Sequence, residues 1–158
     1  MAADPHLAAA RYILRQSLTE LREAISGLSA EALNWRPAGE ETNSIAVLTT
    51  HALQSTRSWL SIAVGAPLPE RDRDSEFTVS AMAGPALLAF LDEMSVDCTG
   101  LLDSPGEIDW SALRQTHQRP APDAQQAPAA FALVHAIEHL REHLGQVTLT
   151  RQVWEHQR

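Results

Sequence analysis

Three histidines recur at four-residue intervals near the end of the chain, and a fourth lies alone in an earlier apolar stretch. The three are His135, His139 and His143, and the fourth is His51. Residues four apart lie on one face of an α-helix, one turn above each other. Two imidazoles so placed can bind one divalent metal ion, and a third from a neighbouring helix completes a three-nitrogen site. The spacing therefore predicts a metal centre between two helices.

Only two histidines of the row can bind the same ion. His135 and His143 are separated by about 12 Å of helix rise, which is too far for bonds of about 2.0–2.1 Å to one metal. His51 lies about seven residues, or roughly 10 Å, inside the start of its own helix. If the two helices are antiparallel, this depth favours His139 and His143. We therefore predict His51, His139 and His143 as the metal ligands, with His135 beside a ligand or lining the pocket.

A three-histidine site leaves coordination positions open, as in catalytic zinc sites. The bound ion would make water a nucleophile near neutral pH, or ionise a bound thiol. Glu138 and Glu142 point about 100° away from the adjacent histidines and are poor ligands. Gln146 could reach the edge of the pocket or pair with another polar side chain. Gly145 would let a neighbouring helix or a ligand approach closely, unless it is simply a tolerated helix glycine.

Composition restricts the classes of function. The net charge is −8, and the 12 basic residues are all Arg, so the acidic chain offers no electrostatic footprint for nucleic acid. The single cysteine, Cys98, excludes an internal disulfide and fits a reducing compartment, and we expect it to fill space in a helix. We expect no signal peptide, because the first residues lack a basic segment followed by an apolar one, and we expect no membrane span, because no apolar run approaches about 20 residues. We expect a cytoplasmic protein without membrane or nucleic-acid partners.

Four stretches have the apolar periodicity of helices, and none has convincing strand alternation. The first extends from Asp4-Pro5 to about Ser26, and the second from Asn43-Ser44 to Gly65. The third begins between residues 80 and 85 and ends near Leu102, and the fourth extends from near Pro128 to the tail. The apolar residues of the fourth stretch bracket the histidine row, which favours histidines that point into the bundle. These residues are Phe131, Val134, Leu140, Leu144, Val147 and Trp154. One all-α domain over residues 1–158, a four-helix bundle, is the predicted fold.

Two connections, residues 65–80 and 103–127, are polar and long enough to cross the length of a bundle. Segment 27–43 is also longer than a tight turn. Its Leu28, Leu33 and Trp35 are expected to pack on the end of the bundle.

Several short motifs resemble the DinB/YfiT-like superfamily of metal-dependent enzymes over residues 30–155. Members have a Trp-Arg-Pro-type segment, a Ser-Ile entry to a helix with one histidine, and a last helix with an H-x3-H pair that often continues as H-R-G-Q. The corresponding residues are Trp35-Arg36-Pro37, Ser44-Ile45, His51, His139 and His143-Leu144-Gly145-Gln146. Leu144 stands where arginine is frequent, which weakens any inference about recognition of an anion or a thiol cofactor.

The resemblance implies an up-down-down-up bundle with a long crossover between helices 2 and 3. It also implies a homodimer and a three-histidine site for Zn²⁺ or Ni²⁺. Characterised relatives use low-molecular-weight thiols for transfer or isomerisation. We therefore expect an enzyme in which the metal activates a thiol cofactor or water for transfer to, or hydrolysis of, a small electrophile. No further catalytic residue is evident. The alternative is a non-catalytic helical bundle for dimerisation or small-ligand binding with no functional metal.

Overall fold

A computed structural model describes residues 4–103, 105–116 and 126–157, and it is mostly helical, with about four major helices packed together. In chain order the elements are α1 Pro5–Ile25, α2 Ala30–Asn34, a 3₁₀ turn Gly39–Glu41, α3 Ile45–Val64, α4 Arg73–Phe77, α5 Gly84–Asp103, β1 Leu113–Gln115, β2 Gln126–Pro128 and α6 Ala129–His156. The four long helices predicted from the sequence correspond to α1, α3, α5 and α6.

Capping residues account for where α1 begins and for where α3 begins and ends, as the sequence predicts. The carboxylate of Asp4 accepts hydrogen bonds from the backbone N–H groups of His6 and Leu7, and Pro5 occupies the first helical turn of α1. Ser44 caps α3 in the same way through the N–H of Val47. Gly65 ends α3 with a φ of +74°, a left-handed conformation that favours glycine. These capping signals fix where His51 lies along the bundle.

The apolar face of α6 differs from the predicted one. Phe131 and Val134, expected on the buried stripe, are 51% and 66% exposed. The side chains of α6 that fill the core are Ala129, Ala132, Leu133, Ala136, Leu140, Leu144 and Val147. Three of these are alanines, whose small side chains let α6 lie close to its neighbour. Leu140, Leu144 and Val147 are buried as predicted, whereas Phe131 and Val134 were predicted wrongly because large apolar residues were given weight over small ones.

Helix α6 packs most extensively against α3, and the two run in opposite directions. His51, near the start of α3, contacts the rings of His139 and His143, whereas Trp59, further along, contacts His135. Helices α1 and α5 complete the core from the other side. The α3–α6 pair therefore carries His51 and the row His135, His139 and His143.

The connections contain structure that the sequence did not reveal. Segment 27–43 includes α2, whose Leu33 is fully buried, and the ring of Trp35 lies 5.4 Å from that of Trp154, so this segment does pack on the bundle. Segment 65–80 includes α4. In contrast to the prediction of no strands, β1 and β2 pair antiparallel, with Arg114 opposite Ala127. Three-residue strands are too short to show an alternating pattern, and the part of the 103–127 connection at 117–125 lies outside the described residues.

Within the described ranges, no helix combines the length and the apolar character that crossing a membrane requires.

Candidate metal centre

Three histidine side chains meet between α3 and α6. His51 is 6% exposed, and the ring centroids of His139 and His143 lie 5.1 and 5.0 Å from its own. The rings of His139 and His143 are themselves 4.4 Å apart, with their Nε2 atoms separated by 3.2 Å. One nitrogen from each of the three residues lies within 4.8 Å of the other two. The structure thus brings together the three residues that spacing and depth selected from the sequence.

The cluster fits a divalent metal ion in donor type and spacing. At a metal–nitrogen bond of about 2.0–2.1 Å, two ligands of a tetrahedral ion lie about 3.4 Å apart, close to the 3.2 Å between the two Nε2 atoms. Nδ1 of His139 is buried and has no hydrogen-bond partner in the described part of the chain. An ion bound between the two Nε2 atoms would leave this nitrogen without a partner, so the fit rests on the Nε2 spacing. Three imidazole nitrogens suit zinc and nickel better than magnesium or calcium, which take oxygen ligands.

The environment keeps two of the rings uncharged. Burial, followed by the positive charges that His143 and His51 can carry, lowers the pKa of His139 to about 4. Burial also lowers the pKa of His143, although a hydrogen bond with Gln146 opposes the effect. Only a neutral imidazole has a lone pair for a metal. The rings of His139 and His143 are therefore in the metal-binding form at neutral pH.

Two charged residues that the sequence analysis missed lie directly behind His51. Nδ1 of His51 is 2.8 Å from Oε2 of Glu76, and Arg71 binds both oxygens of the same carboxylate. Both residues come from the 65–80 connection, which the sequence predicts only as a crossover. No short-range spacing links Glu76 to a histidine 25 residues earlier, so only the folded arrangement reveals this contact.

Gln146 and Gly145 differ in how well they were predicted. Oε1 of Gln146 lies 2.8 Å from Nδ1 of His143, so Gln146 does reach the cluster, as a partner of a ring nitrogen. The close approach expected at Gly145 is wrong for a neighbouring helix. A side-chain carbon built there would have no described atom of another element within 4 Å. This glycine faces solvent.

His135 lies outside the cluster, in a group of aromatic rings. Its ring stacks on Phe131 at 5.5 Å and meets Trp59 edge-on at 4.6 Å, and its Nδ1 is 3.2 Å from a carboxylate oxygen of Glu138. A centroid distance of 5.6 Å connects it to His139. This placement agrees with the prediction that His135 is not one of the three clustered histidines.

Cys98 and Leu144 are core residues. The thiol of Cys98 is fully buried, and burial raises its pKa to about 12. Leu144 is 5% exposed. Neither side chain offers chemistry to the cluster.

A bundle of four long helices with three convergent imidazoles defines a helical protein with a candidate metal site. Comparison with protein families places the chain more narrowly, because the model of the DinB superfamily matches residues 13–147. The chain belongs to the DinB superfamily. A search of curated proteins found no match.

Proposed function

We propose that this protein is a metal-dependent enzyme in which His51, His139 and His143 hold Zn²⁺ or Ni²⁺. The reaction is attack by a thiol cofactor or water on a small electrophilic substrate, giving transfer or hydrolysis. The observation that supports this most directly is the convergence of three imidazole nitrogens from α3 and α6 within 4.8 Å. Membership of the DinB superfamily supports the same conclusion.

The residues of the chain have distinct tasks in this proposal. His139 and His143 present neutral rings because burial disfavours their charged forms. Gln146 accepts a hydrogen bond from Nδ1–H of His143, which leaves the Nε2 lone pair of that ring free for the ion. When bound, the ion supplies Lewis acidity that lowers the pKa of a coordinated water or thiol. Three protein ligands leave room for that group.

Metal analysis tests the proposal. Protein purified without a histidine tag and incubated with zinc or nickel is expected to retain about one ion per chain after desalting. His143→Ala should abolish retention, whereas His135→Ala should not, because His135 is on the same helix but outside the cluster. Retention that is equal in the two variants, or absent from the unmutated protein, would contradict the proposal.

The class of reaction requires a second experiment. The loaded protein is assayed with ester and amide substrates alone, and then with small electrophiles in the presence of low-molecular-weight thiols. Turnover only with a thiol indicates transfer, and turnover without one indicates hydrolysis. No turnover together with unchanged stability on chelation would instead favour the non-catalytic bundle.

We also propose a homodimer and an up-down-down-up topology within one domain. The large exposed apolar side chains of α6, which are Phe131, Val134, Leu149 and Val153, support association of two chains. The contact of Arg11 near the start of α1 with the last residues of α5 supports antiparallel packing of that pair, with a crossover after α3. Sedimentation analysis tests the dimer.

A further inference from the structure

A buried ion pair from the connection between α3 and α5 contacts the candidate metal ligand on α3. Oε2 of Glu76 lies 2.8 Å from Nδ1 of His51 and 2.9 Å from Nη2 of Arg71. Oε1 of the same carboxylate accepts a hydrogen bond from Nε of Arg71. The side chains of Glu76, His51 and Arg71 are 3%, 8% and 15% exposed. Water therefore competes little for these contacts.

The ionised carboxylate dictates which nitrogen of His51 carries the proton. Arg71 donates hydrogen bonds to both oxygens of Glu76, from Nε to Oε1 and from Nη2 to Oε2, and this two-point contact with a guanidinium fits an ionised carboxylate. A carboxylate only accepts hydrogen bonds, and Nδ1 of His51 must therefore donate. In a neutral ring this leaves the lone pair on Nε2. Nε2 is the nitrogen that Glu76 leaves available for an ion.

The same segment also restrains the plane of the His51 ring. The ring of Phe77, the residue after Glu76, lies 4.6 Å from that of His51. Arg36 donates a hydrogen bond to the carbonyl oxygen of Phe77, and the guanidinium of Arg73 lies 5.2 Å from its ring centroid. The ring of His51 is thus held at one edge by a carboxylate and packed against an aromatic side chain.

We propose that Glu76, held by Arg71, is a positioning residue that fixes the proton and the orientation of His51, so that α4 forms part of the metal site. This inference rests on the proposed metal-binding function. A purely structural ion pair would not need His51, because Arg71 already binds both oxygens of the carboxylate. Partners that orient a ligating histidine typically change metal affinity by 10–100-fold when they are removed.

Metal affinity tests the proposal with a matched control. Zinc and nickel affinities are measured by competition with a chromogenic chelator for the unmutated protein, Glu76→Gln and Glu138→Gln. Glu138 also contacts a histidine Nδ1, but on His135, outside the cluster. We expect Glu76→Gln to weaken binding about 10–100-fold and Glu138→Gln to leave it unchanged. Equal affinity of the two variants would overturn the proposal.

A second variant addresses folding, because Glu76→Gln leaves the charge of Arg71 unpaired in a buried place. The double substitution Arg71→Met and Glu76→Gln removes both charges, and replacing a whole buried pair is often tolerated. The double variant should keep the circular dichroism spectrum of the unmutated protein and still bind metal about 10–100-fold more weakly. Full affinity in a folded double variant would contradict the positioning role.

The metal-free protein gives an independent measurement. Nitrogen-15 NMR of the histidine rings near neutral pH should show the proton of His51 on Nδ1 in the unmutated protein, and this preference should weaken in the folded double variant. A proton on Nε2 in the unmutated protein would overturn the inference, whatever the metal data show. If the unmutated protein binds no metal, the proposed function fails, and the NMR result still decides whether Glu76 positions His51.

Discussion

Acid should destabilise the metal-free protein through His139. Burial and the neighbouring histidines lower the pKa of His139 from 6.5 to about 4, so the folded protein resists protonation at this ring. The unfolded chain accepts the proton near the ordinary value. Between these two pH values the unfolded state binds more protons, and the free energy of unfolding therefore falls as the pH falls. The contribution of neutral His139 is fully present above about pH 6.5 and is lost progressively toward pH 4.

The size of the effect follows from the change in the pKa. A fall from 6.5 to about 4 corresponds to at most about 3.4 kcal/mol, at 1.36 kcal/mol for each pKa unit. Because the ring is only half-buried, solvent screening reduces the effect, and we expect about 1–2 kcal/mol. The lowered pKa of Glu76 affects the free energy of unfolding over a different pH range. The stability that ionised Glu76 contributes is lost only as the pH falls below the ordinary value of 4.5.

Urea denaturation in the presence of a chelator, at pH values from about 7 to 4.5, measures this loss. The comparison is with His139→Gln, which is uncharged at every pH. The unmutated protein should lose about 1–2 kcal/mol more than this variant across the range. Some slope is expected in the variant because the pKa of His143 is also lowered. Identical pH profiles for the two proteins would refute the argument that the folded state excludes a proton from His139.

Two further predictions concern α3 and α5. Gly65→Ala should destabilise the protein by about 1–2 kcal/mol because φ is +74° and the new carbon would lie 3.1 Å from the Arg114 guanidinium. In urea denaturation, Gly100→Ala on α5 should instead stabilise the protein by about 0.5–1 kcal/mol, and loss of stability in both variants would contradict the conformational argument. Cys98, buried with a pKa raised to about 12, should react with a thiol reagent only as fast as the protein opens. Reaction at the rate of an exposed thiol would show that α5 is packed differently.

Local signals were sufficient to predict where α1 and α3 begin and where α3 ends. The Asp4-Pro5 cap, the Ser44 cap and Gly65 each act on residues next to them in sequence, and the structure confirms all three ends. The grouping of His51 with the pair on α6 needed one further assumption, that the two helices are antiparallel.

Long-range contacts could not be predicted in the same way. Glu76 reaches His51 only because the connection after α3 folds back on that helix, and neither its composition nor its spacing encodes that path. The exposed Phe131 was misplaced for a related reason. Which face of α6 is buried depends on how closely its alanines let α3 approach, and this is a property of the pair of helices.

The same antiparallel pairing explains why a uniform row of histidines divides into two environments. Moving eight residues along α3, from His51 to Trp59, corresponds to moving eight residues back along α6, from His143 to His135. Each histidine of α6 therefore acquires its environment from the residue of α3 that faces it. Beside His51, ring nitrogens of His139 and His143 lie within 4.8 Å of a ring nitrogen of His51. Beside Trp59, the ring of His135 instead packs edge-on against the indole ring. The division of the row is thus determined on α3, and His51 is the residue whose identity makes a metal site possible.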